Sequence, residues 1–323
     1  MNLYLAPLEG ITGYIYRNAL NDIFGGVDKF YAPFITPPVK RELATKEIRE
    51  LCREHNEGID LVPQVLTANA SDFNLTKEVL RDMGYGEINI NLGCPSKTVT
   101  TKGRGAGALQ YPDKLDEFLY GVFESGEDKV SIKTRIGVEE KEEFERLLEI
   151  YNKYPIMELT IHPRLMNQAY KGLADREVFF DAASKYQKPL CYNGDINSRA
   201  GYEDFLLNSR KELTDSVLDK EGRFGAIMIG RGALRNPAVF REIRGGQKAS
   251  HQEMENFLNR ILEEYQSILS GETPVLFKMK EIWSYLGLSY KECEKAHKKL
   301  MKAKSISEYK IYAKELLRSE MSK

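Results

Sequence analysis

Cys94 is the residue whose surroundings most invite chemistry. It follows the alternating run Ile88-Asn89-Ile90-Asn91-Leu92-Gly93 and precedes Pro95-Ser96. A glycine before it and a proline after it put the thiol on a loop just past the end of a strand. Parallel sheets carry reactive groups at such ends. As a nucleophile the thiol would want a base beside it. As a general acid it would need to be protonated, which an ordinary thiol pKa of about 8.5 provides at neutral pH. Lys133 and Arg135 alternate with apolar residues in Ser131-Ile132-Lys133-Thr134-Arg135-Ile136, so both fall on one face of a strand. A lysine turned inward is costly unless it meets an anion or an electron-rich group. His162-Pro163-Arg164 forms another polar strand end, and the other three histidines lie in polar, helical contexts. Asn193-Gly194-Asp195 and Gly230-Arg231-Gly232 are tight turns whose glycines let backbone approach a phosphate. Gly103-Arg104-Gly105-Ala106-Gly107 lacks the spacing of a dinucleotide fingerprint and reads as a flexible loop. No Walker A sequence is present, so nucleotide hydrolysis has no support.

These groups need elements to hold them. Short β-like runs at residues 3–8, 29–32, 61–66, 87–91, 130–135, 157–161, 189–193 and 226–229 alternate with helical stretches. The helical patterns fall at 13–24, 70–83, 111–124, 139–154, 175–186 and 198–207, with a last helix starting near Ala233. Repeated βα units of this kind predict an α/β fold, a parallel (β/α)8 TIM barrel, with a doubly wound open sheet as the competitor. The polar residues favour the barrel. Pro7, Leu8, Glu9, Gln64, Asn91, Lys133, His162, Asn193 and Gly230 all sit at or just past strand C-termini, which converge only in a closed cylinder. Composition shifts at Gly245-Gly246-Gln247-Lys248. The expected division is therefore a barrel over 1–244 and a small C-terminal helical domain over 247–323. Helical periodicity is evident at 252–270 and 290–317, punctuated by Gly271-Glu272-Thr273-Pro274.

Bulk properties narrow the class. The chain has 323 residues and a net charge of −1. Residues 278–323 hold 12 Lys/Arg against 6 Glu, leaving −7 on the rest. That basic end suits either a nucleic-acid footprint or a solvated helical surface. Four scattered cysteines without a C-x-x-C pair make zinc and disulfides unexpected and suit a reducing cytoplasm. No metal, membrane span or secretory signal is expected.

Taken together, the motifs resemble the dihydrouridine synthase family, flavoenzymes that reduce uridine in tRNA. The resemblance covers the whole chain. It rests on Ala6-Pro7-Leu8-Glu9-Gly10-Ile11-Thr12, Gln64, Asn89 through Ser96, Ile132 through Gly137, His162-Pro163-Arg164 through Gly172, Asn193-Gly194-Asp195-Ile196, and Met228 through Ala233. It implies FMN, with Pro7, Leu8 and Glu9 lining the isoalloxazine and Gln64 and Lys133 on its polar edge. It implies that Asn193, Gly194, Asp195, Gly230 and Arg231 hold the phosphate. His162 would lie against flavin or uracil, and Asn91, Arg135 and Arg164 near the substrate. Cys94 would give a proton to uracil C5, NADPH or NADH would reduce the flavin, and the C-terminal helices would grip tRNA. A monomer is expected. The chain departs from the family pattern at Leu8, Gly13 and Leu165 and around Thr100–Arg104, departures that touch the substrate side more than the flavin side. Two other readings stay open on these residues: a flavin reductase of a free pyrimidine, and an RNA-binding barrel without catalysis.

Overall fold

The computed structural model describes residues 1–38, 40–124, 126, 129–213, 224–290 and 293–319. Residues 291–292 and 320–323 of the basic C-terminal segment lie outside the described residues. The chain divides into two compact units. The first comprises residues 1–7, 28–195 and 203–228; the second comprises 8–27, 196–202 and 229–323.

The first unit is built on strands β1 (Asn2–Leu5), β2 (Lys29–Tyr31), β3 (Leu61–Val62), β4 (Gln64–Val65), β5 (Glu87–Leu92), β6 (Lys129–Arg135), β7 (Leu159–His162), β8 (Leu190–Tyr192) and β9 (Phe224–Ile229). Their order is β3-β2-β1-β9-β8-β7-β6-β5-β4. The two ends of that list are the same run of chain, broken only at Pro63, which has no N–H to give a ladder. Its two sides pair differently: Phe30 and Ala32 donate to Asp60 and Val62, while Asn89 donates to the Pro63 carbonyl. Residue Ile35 adds a parallel bridge to Val65. The sheet therefore closes on itself, and the open doubly wound alternative is excluded. Each expected strand is present within a residue or two of its predicted span, except the first, which ends at Leu5 rather than at residue 8.

Alternation along the strands sorts side chains between two environments. Outward residues such as Ile88, Ile90, Ile132, Leu159 and Ile161 are fully buried. Tyr192 stacks on Phe205 at 4.0 Å between ring centroids, beneath the helix Arg199–Glu212. The inward set is unusually polar. Tyr4 on β1 donates to Glu158, next to β7, at 3.1 Å, and these strands are not neighbours, so the bond crosses the interior. Tyr4, Tyr31, Val62, Cys191, Ala226 and Met228 fill the space around it.

Two expectations fail for local reasons. The predicted helix over 139–154 begins only at Glu143, in Glu143–Lys153. The Glu143 carboxylate instead accepts from the backbone of Val138, Glu139 and Glu140, holding that stretch as a turn. The glycine-rich segment is not a flexible loop. It forms the short helix Lys97–Thr100 and the 3-10 turn Gly105–Gln110, with Ala106 through Leu109 buried. Gly105 has φ +56°, and a Cβ there would lie 2.8 Å from the Cys94 carbonyl oxygen. The glycines allow close packing rather than motion.

In the second unit, the helix His251–Ile268 sets Phe257 between Tyr16 and Phe24, each at 5.4 Å. Ser250 and Glu253 close its N-terminus with a capping box. A helix not anticipated from periodicity runs Glu272–Leu286. Its Pro274 falls in the first turn, where a missing N–H costs nothing. The expected helical stretch at 290–317 is two helices, Glu294–Lys302 and Ile306–Leu317, the second capped by Ser305.

Candidate active site

Cys94 is half-buried on a loop pinned from three directions. Asn91 Oδ1 accepts from the backbone N–H of Gly93 at 3.0 Å and of Cys94 at 2.9 Å. Arg135 Nε donates to the Gly93 carbonyl at 2.9 Å. The Ala106 N–H donates to the Cys94 carbonyl at 3.0 Å. Extended strand geometry ends at Leu92 because the Asn91 side chain takes over the N–H groups that a ladder would otherwise use.

Asn91 pairs in register with Lys133, Lys133 with Thr160, and Thr160 with Cys191, so these residues form one layer across adjoining strands. Lys133 has no hydrogen-bond or ion-pair partner among the described residues. Burial, and then the neighbouring Arg135 guanidinium, pull its ammonium down to about 7. Deeper in the barrel, burial pushes the Glu158 carboxyl up to about 7, against the pull of Lys29. Burial also raises the Cys191 thiol well above its ordinary value.

Above this layer, Arg135 pairs in register with His162. Arg135 is 1% exposed and spends its guanidinium on the protein: Nη1 donates to the Leu165 carbonyl at 2.9 Å, and the Tyr170 ring lies 5.5 Å from it. Arg164 is also buried. It reaches His162 Nε2 at 3.0 Å, the Gly172 carbonyl at 2.8 Å and Asp195 at 2.6 Å. A guanidinium can only donate, so His162 Nε2 accepts and the ring proton sits on Nδ1. The imidazole is therefore neutral in this arrangement. Asp195 also accepts from the Ala174 N–H at 2.9 Å. Its carboxylate thus anchors the segment after β7, and a phosphate placed against that carboxylate would be repelled.

Asn193 donates to the Met228 carbonyl at 2.8 Å, tying the end of β8 to β9. A Cβ on Gly194 would collide with the Tyr192 side chain, so a close approach of backbone to ring fixes that glycine. Gln64 exchanges hydrogen bonds with Asn89 and Asn91, both at 2.7 Å. The first unit thus brings together Pro7, Gln64, Asn91, Cys94, Lys133, Arg135, His162, Arg164, Asn193, Gly194 and Asp195 at the C-terminal ends of its strands.

The remaining expected residues belong to the second unit. Leu8 N–H donates to Thr12 Oγ1 at 2.7 Å, and Leu8 O accepts from Ile11 and Thr12, forming a tight turn with Glu9 exposed. Lys278 donates to the Gly10 carbonyl at 2.6 Å. Gly13 opens the helix Tyr14–Ile23 with no side-chain cap. Gly230 precedes the short helix Arg231–Arg235.

Asn89, Ser131, Glu87, Lys29 and the Tyr4–Glu158–Tyr31 group were not singled out by sequence. The available signal was a two-residue period of polar side chains, in Glu87-Asn89-Asn91, Ser131-Lys133-Arg135 and Glu158-Thr160-His162.

A closed parallel barrel with a polar bore and a thiol-bearing loop at its C-terminal end is the architecture of a barrel enzyme. Among solved structures, a morphinone reductase variant in complex with tetrahydroNAD matches at a TM-score of 0.50 with 9% identity, over 76% of this chain and 87% of that one. That likeness is one of fold. The family model described as dihydrouridine synthase (Dus) matches residues 4–320. This chain belongs to the dihydrouridine synthase family. It is 30% identical over 240 residues to tRNA-dihydrouridine synthase B of Pasteurella multocida, over 74% of this chain and 68% of that protein. It is 27% identical over 323 residues to tRNA-dihydrouridine(16) synthase of Shewanella oneidensis, over 95% and 96%.

Proposed function

We propose that the protein reduces uridine in tRNA to 5,6-dihydrouridine, with FMN as its cofactor and NADPH or NADH as reductant. The observation that carries this reading is the Lys133 ammonium, without a hydrogen-bond or ion-pair partner among the described residues and in register with the asparagine that holds the Cys94 loop. A half-buried lysine without a counter-anion is suited to an electron-rich ring edge. When bound, the flavin supplies hydride to uracil C6. Cys94 then delivers the proton to C5, the carbon where charge builds because it is conjugated to the C4 carbonyl. Lys133 and Gln64 would hold the flavin's polar edge, and Pro7, Leu8 and Glu9 would line its ring with backbone.

Asn193, Gly194, Gly230 and Arg231 would take the phosphate, while Asp195 contributes by fixing Arg164. His162 would lie against flavin or base. Asn91, Arg135 and Arg164 act on the substrate side by shaping the loops that meet it. A base stacked in RNA cannot reach a barrel mouth, so the target uridine must leave its stack. The helical segment 247–323, with its basic end, would hold the RNA backbone, and that binding would weaken as salt rises. The reading is of a cytoplasmic monomer, with the barrel chemistry in 1–244.

The test is mass mapping of dihydrouridine in total RNA from cells with and without the gene, paired with the purified protein. A yellow protein bleached anaerobically by NAD(P)H, and loss of dihydrouridine at defined tRNA positions, are expected. A yellow protein that reduces free pyrimidines and leaves RNA unchanged would overturn the substrate. A protein that cannot be loaded with FMN would overturn the chemistry.

A further inference from the structure

The barrel interior contains a run of hydrogen bonds whose direction is fixed by its two ends. At the C-terminal end, two backbone N–H groups point at one side-chain atom of Asn91, at 3.0 and 2.9 Å. Backbone N–H can only donate, so that atom is the amide oxygen. Asn91 Nδ2 must then donate, and it meets Gln64 Oε1 at 2.7 Å. Gln64 Nε2 donates to Asn89 Oδ1 at 2.7 Å, and Asn89 Nδ2 donates to Ser131 Oγ at 2.9 Å. The Ser131 hydroxyl spends its proton on Glu87 Oε1 at 2.7 Å. The other Glu87 oxygen accepts from Lys29 Nζ at 2.7 Å. At this end a carboxylate can only accept. Both ends therefore demand the same polarity, and no amide between them can flip without placing like atoms face to face. Gln64, Asn89 and Ser131 are each 0% exposed, so bulk water does not reach a broken link.

The run starts at the opposite rim of the barrel. Lys29 and Glu87 line a groove of about 790 Å³ together with Asp60, Lys129 and Met157. From Glu87 to Asn91 the strand rises roughly 13 Å. We propose that the Lys29–Glu87 pair, acting through Ser131, Asn89 and Gln64, positions the Cys94 loop, so that Glu87, Ser131 and Asn89 are positioning residues for the thiol. This rests on the reading of Cys94 as the proton donor. The loop is the one segment whose N–H groups terminate the run. A disturbance at the far rim is therefore carried to Cys94 rather than absorbed locally.

The test reads Cys94 directly, in the full-length, flavin-free protein without RNA. Iodoacetamide labelling is followed by peptide mass spectrometry, with half-buried Cys52 and Cys293 as references in the same molecule. Ser131→Ala cuts the run without removing any group assigned to flavin or substrate, and the readout on flavin-free protein keeps cofactor binding out of the result. Cys94 should label faster by about tenfold, the equivalent of one lost buried hydrogen bond. Both references should stay unchanged, and Ser131→Thr, which keeps the hydroxyl, should return the rate to near wild type. Glu87→Gln, at the solvent-facing foot, is the second arm should Ser131→Ala fail to fold. Its new amide must turn N–H₂ toward either the Lys29 ammonium or the Ser131 hydroxyl, both of which donate to Glu87, so the run loses a link in either setting and Cys94 labelling should also rise. Unchanged Cys94 labelling in a folded variant of either kind would overturn the proposal, whatever its activity. A normal labelling response together with dihydrouridine formation by Cys94→Ala would instead keep the positioning run and remove the acid assignment.

Discussion

Replacing Lys133 by methionine tests the electrostatics on which the site depends. The folded chain holds the Lys133 proton at about 7, against 10.5 for the free side chain. The unfolded chain therefore binds that proton more tightly. Between pH 7 and 10.5 unfolding takes up a proton, so native stability rises with pH across that window. Below the window the folded protein bears the full cost of a desolvated ammonium. Each unit is worth about 1.4 kcal/mol, so wild-type protein should gain about 2.7 kcal/mol from this group between pH 6 and pH 9. Lys133 is only half-buried, and solvent screening reduces the figure to about 1–2 kcal/mol. Lys133→Met removes the titration and keeps the stem. The assay is urea unfolding of both flavin-free proteins at pH 6 and pH 9, which cancels every other titrating group in the difference. The variant should be favoured over wild type at pH 6 by about 1–2 kcal/mol more than at pH 9. A wild-type-minus-variant difference constant to within about 0.5 kcal/mol would refute the idea that Lys133 is held against its charge.

Glu158 gives the opposite sign. Its folded carboxyl is raised from 4.5 to about 7, so stability falls as pH climbs through that interval. Glu158→Gln, whose oxygen still accepts from one of Tyr4 and Tyr31 while its N–H₂ donates to the other hydroxyl, should be nearly neutral at pH 4.5 and stabilising by about 1–3 kcal/mol at pH 8, read from thermal melts at both values. Cys94→Ala should fold and bind flavin like wild type while single-turnover uridine reduction falls by about 10²–10⁴; retention of wild-type turnover would exclude the thiol as acid. Arg135→Met removes the donors to the Gly93 and Leu165 carbonyls and should destabilise the protein by about 3 kcal/mol. Amide exchange should quicken at 93–107 and 163–172, and protection equal to wild type there would show that Arg135 does not clamp the two loops.

The sequence alone determined the strand sites and the closed barrel. Each of these follows from local periodicity, or from a glycine, proline or asparagine acting on its immediate neighbours. Cys94 just past Asn91-Leu92-Gly93 was legible because a strand end writes itself in residue type. The starting point of the helix at Glu143 was not, because it depends on a carboxylate folding back onto Val138 through Glu140. The glycines at 103–107 looked like slack, and the packing of Gly105 against the Cys94 carbonyl makes them the opposite. Arg135 and Arg164 carry a charge that any reader would assign to a ligand. Only the fold reveals that their guanidinium groups are taken up by carbonyls, a histidine and Asp195. Tertiary structure also decided what fills the bore. Gln64, the Glu87–Asn89 pair and Ser131 come from three separate stretches of the chain, and a strand face says which way a side chain points but not which partner it will find. That choice is made when the cylinder closes, because only then does exclusion of water press buried donors such as Gln64 Nε2 and Asn89 Nδ2 to find acceptors on the adjoining strands.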